Sequence, residues 1–286
     1  MTKIAFDIGG TFLKSAIIDG TFKLRGYEKQ PTPENSQSPI VDEVLRRVKR
    51  YVETYDLKKV SIGISTAGAV NRKEGKIVYA NDNILNYSGT NFKRALKPYT
   101  TNVHVYNDVD AAMLGELISR KEPIWSAFCL TLGTGIGGSY FHKDIGLSQG
   151  ARWRANQIGN LLYDPISKTN YEQRASTQAL KSLMRKSGHG HENVVQLFEE
   201  AKQNTKARQL LETWGYEVAR GIAEIQIMYD PKVIIIGGGI SQQGQALLDY
   251  ICPYVQVFLP PHYGGAKIET ARLQNHAALV GAVSKL

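Results

Sequence analysis

Residues 3–18, "KIAFDIGGTFLKSAII", set Asp7 and two glycines between apolar runs. Alternation at Ile4, Phe6 and Ile8 predicts a strand, and Leu13, Ala16, Ile17 and Ile18 predict its returning partner. Asp7 then falls near the tip of a hairpin. Two readings of that tip compete. A tight turn calls for residues that tolerate positive φ, which Gly9 and Gly10 supply. Alternatively, bare backbone N–H groups cradle a phosphate, with Thr11 and Lys14 as further donors and Asp7 facing a hydrated cation. The stretch taken alone favours neither.

The same signal returns at 125–141, "WSAFCLTLGTGIGGSYF", again strand, glycine turn, strand. Two such hairpins half a chain apart predict two lobes of similar design, each offering a loop to a shared ligand. A third glycine site follows "DPKVIII", where a strand runs into Gly237, Gly238 and Gly239 and a helix begins near Ser241. A helix N-terminus with close backbone approach suits a nucleotide. The dinucleotide pattern G-x-G-x-x-G fails because its last glycine falls at Gln242, and no P-loop "GKS" or "GKT" is present.

Strands and helices alternate along the rest. A short strand near Leu24 precedes the loop "PTPENSQSP", in which Ser38 and Pro39 read as helix cap and first turn. Val41, Val44, Leu45, Val48, Val52 and Tyr55 give that helix an apolar stripe. "KVSIGIST" reads as a buried strand, "ANDNILNYSGTNF" as a polar loop, "NVHVYND" as a strand and "VDAAMLGELISR" as a helix.

With 286 residues, 42% of them hydrophobic, the chain can bury a large core over two domains. No apolar run reaches the roughly 20 residues of a membrane span, and no basic, apolar leader precedes the first strand, so a cytoplasmic location is expected. The two cysteines, Cys129 and Cys252, are far apart in apolar settings and read as buried thiols. His189 and His191, in "KSGHGHEN", read as a polar connection between helices. A formal charge of +9 is spread over helix faces such as "LRRVKRYVETYD", which argues against a nucleic-acid partner. The surplus suits a polyanionic small molecule.

In this order the glycine sites, with "GISTAG" at Gly63, "ND" at Asn107, "LTLGTGIGG" at Leu130, "YEQRAS" at Tyr171 and "IIIGGGIS" at Ile234, resemble the ROK family of sugar kinases and repressors over essentially the whole chain. The resemblance implies an α/β, two-lobed, actin-like (ribonuclease H-like) sugar kinase fold. Each lobe would hold a mixed five-stranded sheet, with the active-site cleft between lobes. The N-terminal lobe would span residues 1–115, joined by a C-terminal helix at 275–286, and the second lobe 116–274. It implies ATP held by Asp7, Gly9, Gly10, Thr11 and Lys14, by Gly133, Thr134 and Gly135, and, beside the adenosine, by Gly237, Gly238 and Gly239. Magnesium would be held through water by Asp7. Asp108 is the implied base that takes the sugar hydroxyl proton, although as a sequence feature it reads equally as a helix N-cap. Asn107 and Glu172 are implied sugar contacts, as are Gly68, Asn81 and Asn83 in turn-rich loops.

The chain departs from the family at "ARWRANQIGN". Where the family pattern reads Ala-Gly-Glu-Ile-Gly-His, Ala155, Asn156, Gln157, Ile158, Gly159 and Asn160 stand here. Gln157 keeps the length of Glu and loses its charge, which changes sugar affinity or selectivity. Asn160 replaces a His that in many members ligates zinc together with cysteines of the following loop. Here that loop, "LLYDPISKTN", has no cysteine, so no zinc site is expected. Implied function is phosphorylation by ATP of the 6-hydroxyl of a hexose, an N-acetylhexosamine such as N-acetylmannosamine, or a β-glucoside. A non-catalytic sugar sensor is the alternative. A repressor would need a DNA-binding domain before the first lobe, where this chain opens directly in a strand. Homodimer formation is implied by the resemblance alone.

Overall fold

The structure is a computed structural model that describes residues 2–37, 39–80 and 84–286. The chain divides into two compact units. The first comprises Met1–Lys121, Gln149–Arg154 and His276–Leu286, the second Glu122–Ser148 and Ala155–Asn275.

In the first unit the opening hairpin is β1 (Lys3–Ile8) and β2 (Phe12–Ile18), followed by β3 (Leu24–Pro31) and helix α1 (Pro39–Thr54). Next come β4 (Ser61–Thr66), a small hairpin of β5 (Ala69–Asn71) and β6 (Lys76–Tyr79), helix α2 (Phe92–Leu96), β7 (Val103–Asn107) and α3 (Asp108–Ile118). The sheet order is β3-β2-β1-β4-β7. β1 pairs antiparallel with β2 and parallel with β4, and β4 pairs parallel with β7. Every residue of β4 is buried, as expected of a strand covered on both faces. Ile4, Phe6, Ile62, Ile64 and Val105 form the core with Val44, Val48 and Tyr51 of α1.

Three expectations are corrected here. β3 is eight residues long, since its inner edge pairs with β2 at both ends, across one irregularity, and an edge strand's side chains need little burial. On α1, Val44 and Val48 are buried with Ile40, Arg47 and Tyr51, and Val41, Leu45 and Val52 pack beside them, but the helix stops at Thr54 and leaves Tyr55 exposed. Arg47, at 1% exposure, donates to Ser15 Oγ (2.6 Å) and to Glu43 Oε1 (2.6 Å), so a charged residue occupies the predicted apolar face. Finally, the loop read as polar carries buried Ile84, Tyr87 and Phe92 as anchors.

The second unit repeats the plan. β8 (Ser126–Leu132), β9 (Ile136–His142), β10 (Gly146–Leu147), β11 (Val233–Gly237) and β12 (Lys267–Thr270) form a sheet of order β10-β9-β8-β11-β12. Its pairings follow the same sequence, antiparallel across the hairpins and parallel onward. Helices α4 (Tyr171–Ala175), α5 (Thr177–Lys186), α6 (Val194–Glu200), α7 (Thr205–Tyr229) and α8 (Gln245–Val255) complete it. Trp214 of α7 is buried in this core and donates to Ala175 O at 3.0 Å.

The helix expected from about Ser241 begins as a 3-10 turn, Gly239–Gln243, and α8 proper starts after Gly244, whose φ of +56° breaks the run. Cys129 is buried in β8, but Cys252 is exposed, because α8 turns Leu247, Ile251 and Val255 inward. The C-terminal helix, Ala277–Ala282, packs on α3 in the first unit. Glycines make that approach: a Cβ on Gly115 or Gly281 would run into the backbone of Ala277 or Ala111.

Candidate active site

Asp7 is the penultimate residue of the buried strand β1 and is 9% exposed. Lys14 Nζ donates to its Oδ2 and Ser65 Oγ to its Oδ1, both at 2.8 Å. The β1–β2 pairing sets Lys14 opposite Asp7, and the β1–β4 pairing does the same for Ser65. Ser65 lies inside the quoted "GISTAG", yet only the sheet register reveals it as a partner of Asp7. A carboxylate offers about four lone-pair sites, so two remain for the water shell of a hard cation.

Gly9 does not adopt positive φ, and a Cβ on it would meet only Phe12 O at an ordinary 3.5 Å. Conformation therefore does not require glycine at Gly9, which corrects the turn reading there. Thr32 Oγ1 holds Gly9 O (2.6 Å) and Thr32 N holds Thr11 O (2.9 Å), leaving Gly10 and Thr11 exposed. Gly133 and Gly239 likewise sit in open space. Gly238 differs: its φ is +90° and a Cβ would strike Leu132 O.

At the β7–α3 junction the cap is Asn107. Its Oδ1 accepts from Val109 N (3.0 Å) and Asp110 N (3.4 Å), and its Nδ2 donates to Gly68 O (2.9 Å). Asp108 is thereby released from the capping role, although its Oδ1 shares the Val109 N–H (3.0 Å). Burial first, then the charge of Asp7, pushes the Asp108 carboxyl up to about 6. Gly68, at φ +93°, could carry no side chain without striking Tyr79 O. Asn81 and Asn83, like Ser38, lie outside the described residues.

In the second unit Gly133, Thr134 and Gly239 line one cavity of about 440 Å³. Thr177, Gln178, Lys181 and Asn193 line it too, and sequence reasoning missed them. For the first three the only signal is helical spacing on α5, which an amphipathic helix would show anyway, and Asn193 reads as the N-cap of α6. Glu172 Oε2 accepts from Ile136 N at 2.7 Å, and Gly135 and Gly159 both press against its carboxylate. It therefore supports the second glycine turn directly. The stretch "YEQRASTQALKSLMRK" forms two helices, broken at Ser176, which closes α4 and caps α5 through Ala179 N.

The departing segment is clarified residue by residue. Asn156 has φ +62°, a left-handed conformation that glycine takes freely and Asn tolerates, and Tyr229 OH secures its Oδ1 at 2.9 Å. Gln157 is exposed, and Asn160 accepts from Asn170 Nδ2 at 3.3 Å. Residues 151–170 contain no thiol or imidazole, so they do not fit a zinc ion. Hydrogen bonds tie this loop instead. Arg174 donates to Leu162 O (2.7 Å) and Thr169 O (2.9 Å), and Asp164 Oδ1 accepts from Ile166 N (3.0 Å).

Two sheets of identical strand order, each with a glycine turn at its first hairpin, define the actin-like fold class. The chain belongs to the ROK family, whose family model matches residues 3–285. It is 28% identical to a glucokinase of Streptomyces coelicolor over 98% of this chain and 95% of that protein. It is 25% identical to an N-acetylmannosamine kinase of Salmonella typhimurium over 99% and 97%. Among solved structures it resembles a ROK family glucokinase from Streptomyces griseus in complex with glucose and AMPPNP, with TM-score 0.80, 27% identity and coverage of 99% and 98%.

Proposed function

We propose that this chain, a sugar kinase of the ROK type, transfers the γ-phosphoryl group of ATP to the 6-hydroxyl of a hexose, an N-acetylhexosamine such as N-acetylmannosamine, or a β-glucoside. The observation that carries the reading is the division of labour at Asn107–Asp108. Asn107 caps the helix, and Asp108 beside it holds a carboxyl pushed up to about 6, near the range useful to a general base. Asp108 takes the hydroxyl proton as the sugar oxygen bonds to the γ-phosphorus and the bond to ADP breaks. Asn107, Gly68, Asn81, Asn83, Gln157, Asn160 and Glu172 are the proposed sugar contacts.

Gly9, Gly10, Thr11 and Lys14 bind phosphate oxygens, as do Gly133, Thr134 and Gly135, and Gly237 to Gly239 border the adenosine. The cavity beside Gly133 and Gly239 supports that assignment. Asp7 would hold the water shell of Mg2+, which neutralises phosphate charge when bound with ATP. A zinc-free segment at 155–170, a cytoplasmic location and a homodimer complete the reading.

Coupled ADP release, with ATP and magnesium, against glucose, mannose, fructose, N-acetylglucosamine, N-acetylmannosamine and cellobiose tests it. At least one sugar should drive turnover, and Asp108→Asn should lower that turnover by about 10² to 10⁴. Unchanged turnover in Asp108→Asn would remove Asp108 from the mechanism. Gln157, a neutral amide at an exposed position, supports the second reading as a sugar sensor. A sugar that raises Tm without any ADP release would favour it.

A further inference from the structure

The segment Lys186–Asn193 joins α5 to α6, and the fold brings its two histidines onto Glu200, the last residue of α6. His189 Nε2 lies 3.0 Å from Glu200 Oε2, and His191 Nε2 lies 2.8 Å from Oε1. The rings meet edge to face with centroids 4.7 Å apart. Ligand atoms of the three residues all lie within 4.8 Å of one another, the one such group of His, Cys, Asp or Glu among the described residues.

Two neutral imidazoles donating to one carboxylate would explain this closeness if each ring aimed its N–H at its own oxygen. His191 does so. His189 does not: its Nε2 is shielded from solvent yet makes no hydrogen bond, despite the oxygen 3.0 Å away. A nitrogen and an oxygen so close, and not aligned on each other, are disposed to share a third atom.

We propose that His189 Nε2, His191 Nε2 and the Glu200 carboxylate form a site for a divalent transition cation of the zinc type. Two imidazoles and one carboxylate suit zinc, with water as fourth ligand, and do not suit magnesium, which favours oxygen donors. The site is separate from residues 155–170.

Its setting gives it a consequence. His191 Nδ1 accepts from Asn193 N at 3.1 Å, which fixes the neutral ring with its proton on Nε2. A cation on Nε2 requires the opposite tautomer, whose Nδ1–H cannot accept that bond. Cation binding therefore releases the turn at Asn193, and Glu192, Asn193 and Val194 line the cavity of the second unit. Occupancy is coupled to the shape of that cavity.

The full-length protein, stripped with a chelator and titrated with zinc chloride by calorimetry, tests the site. Saturation at one cation per chain is expected. Glu200→Gln and His189→Ala should each weaken binding by roughly tenfold or more, since losing even an outer partner of a ligand costs about that much. Nitrogen-15 spectra of the histidines should show His191 changing from the Nε2–H to the Nδ1–H form as zinc is added. No saturable binding overturns the proposal, and so does binding of undiminished strength in the variants. Should His189→Ala fold poorly, the near-isosteric Glu200→Gln decides the matter alone.

Discussion

Asp108 is a carboxylate whose environment works against its charge, and both its chemistry and its effect on stability follow. With its carboxyl raised to about 6, Asp108, the proposed base, should become protonated as pH falls through that value. We expect kcat/KM to decline below about pH 6 in the parent and the residual activity of Asp108→Asn to lack that limb, as a pH–rate profile would show. Stability carries the opposite sign. The unfolded chain loses this proton near the ordinary carboxyl value of 3.8, and the native state keeps it until about 6, so the native state loses stability as pH rises between them. Asp108→Asn should therefore raise Tm at pH 8 and leave it nearly unchanged at pH 3.5, measured by calorimetry. The sequence placed Asp108 at a strand–helix junction but left its role open between cap and base. That Asn107 takes the Asp110 N–H and shares the Val109 N–H with Asp108 is a matter of side-chain geometry that residue order does not encode.

Among elements, the opening hairpin, β4, β7 and α3 were legible because burial on a sheet imposes a short apolar period that survives in one dimension. The β5–β6 hairpin and α2 were not, since their side chains are anchored by the sheet beneath them and not by a period of their own. Arg174 shows how an element can replace a missing ligand. Its guanidinium ties α4 to the loop at Leu162 and Thr169, in the segment where the resemblance places zinc in relatives. Arg174→Ala should cost about 1.5–3 kcal/mol, the range for hydrogen bonds to a charged group, read from urea unfolding. The contact of α3 with the C-terminal helix depends on Gly281, whose missing side chain lets the helix reach Ala111 O. Gly281→Leu should destabilise by about 1–3 kcal/mol or more through overpacking, with the midpoint rather than the slope of the urea curve moving.

For the whole molecule, nucleotide binding should register as stability, because a ligand that binds only the folded chain stabilises it by mass action. AMPPNP at a hundred times its Kd should add about 2.7 kcal/mol, seen as a rise in Tm. Gly238→Val should abolish that rise, since a side chain there would strike Leu132 O. The sequence by itself determined the alternation of strands and helices, the glycine turns, the paired plan and hence the family, because each rests on local periodicity or on short motifs whose spacing is covalent. It also located Asp7, Asp108 and Glu172. Only the tertiary structure decided what those groups touch: Ser65 on Asp7, Asn107 as the cap, Glu172 against Ile136 N, Lys181 at the cavity and Glu200 between two histidines. Each of these depends on sheet register or helix packing between residues distant in the chain, and no local pattern carries that information.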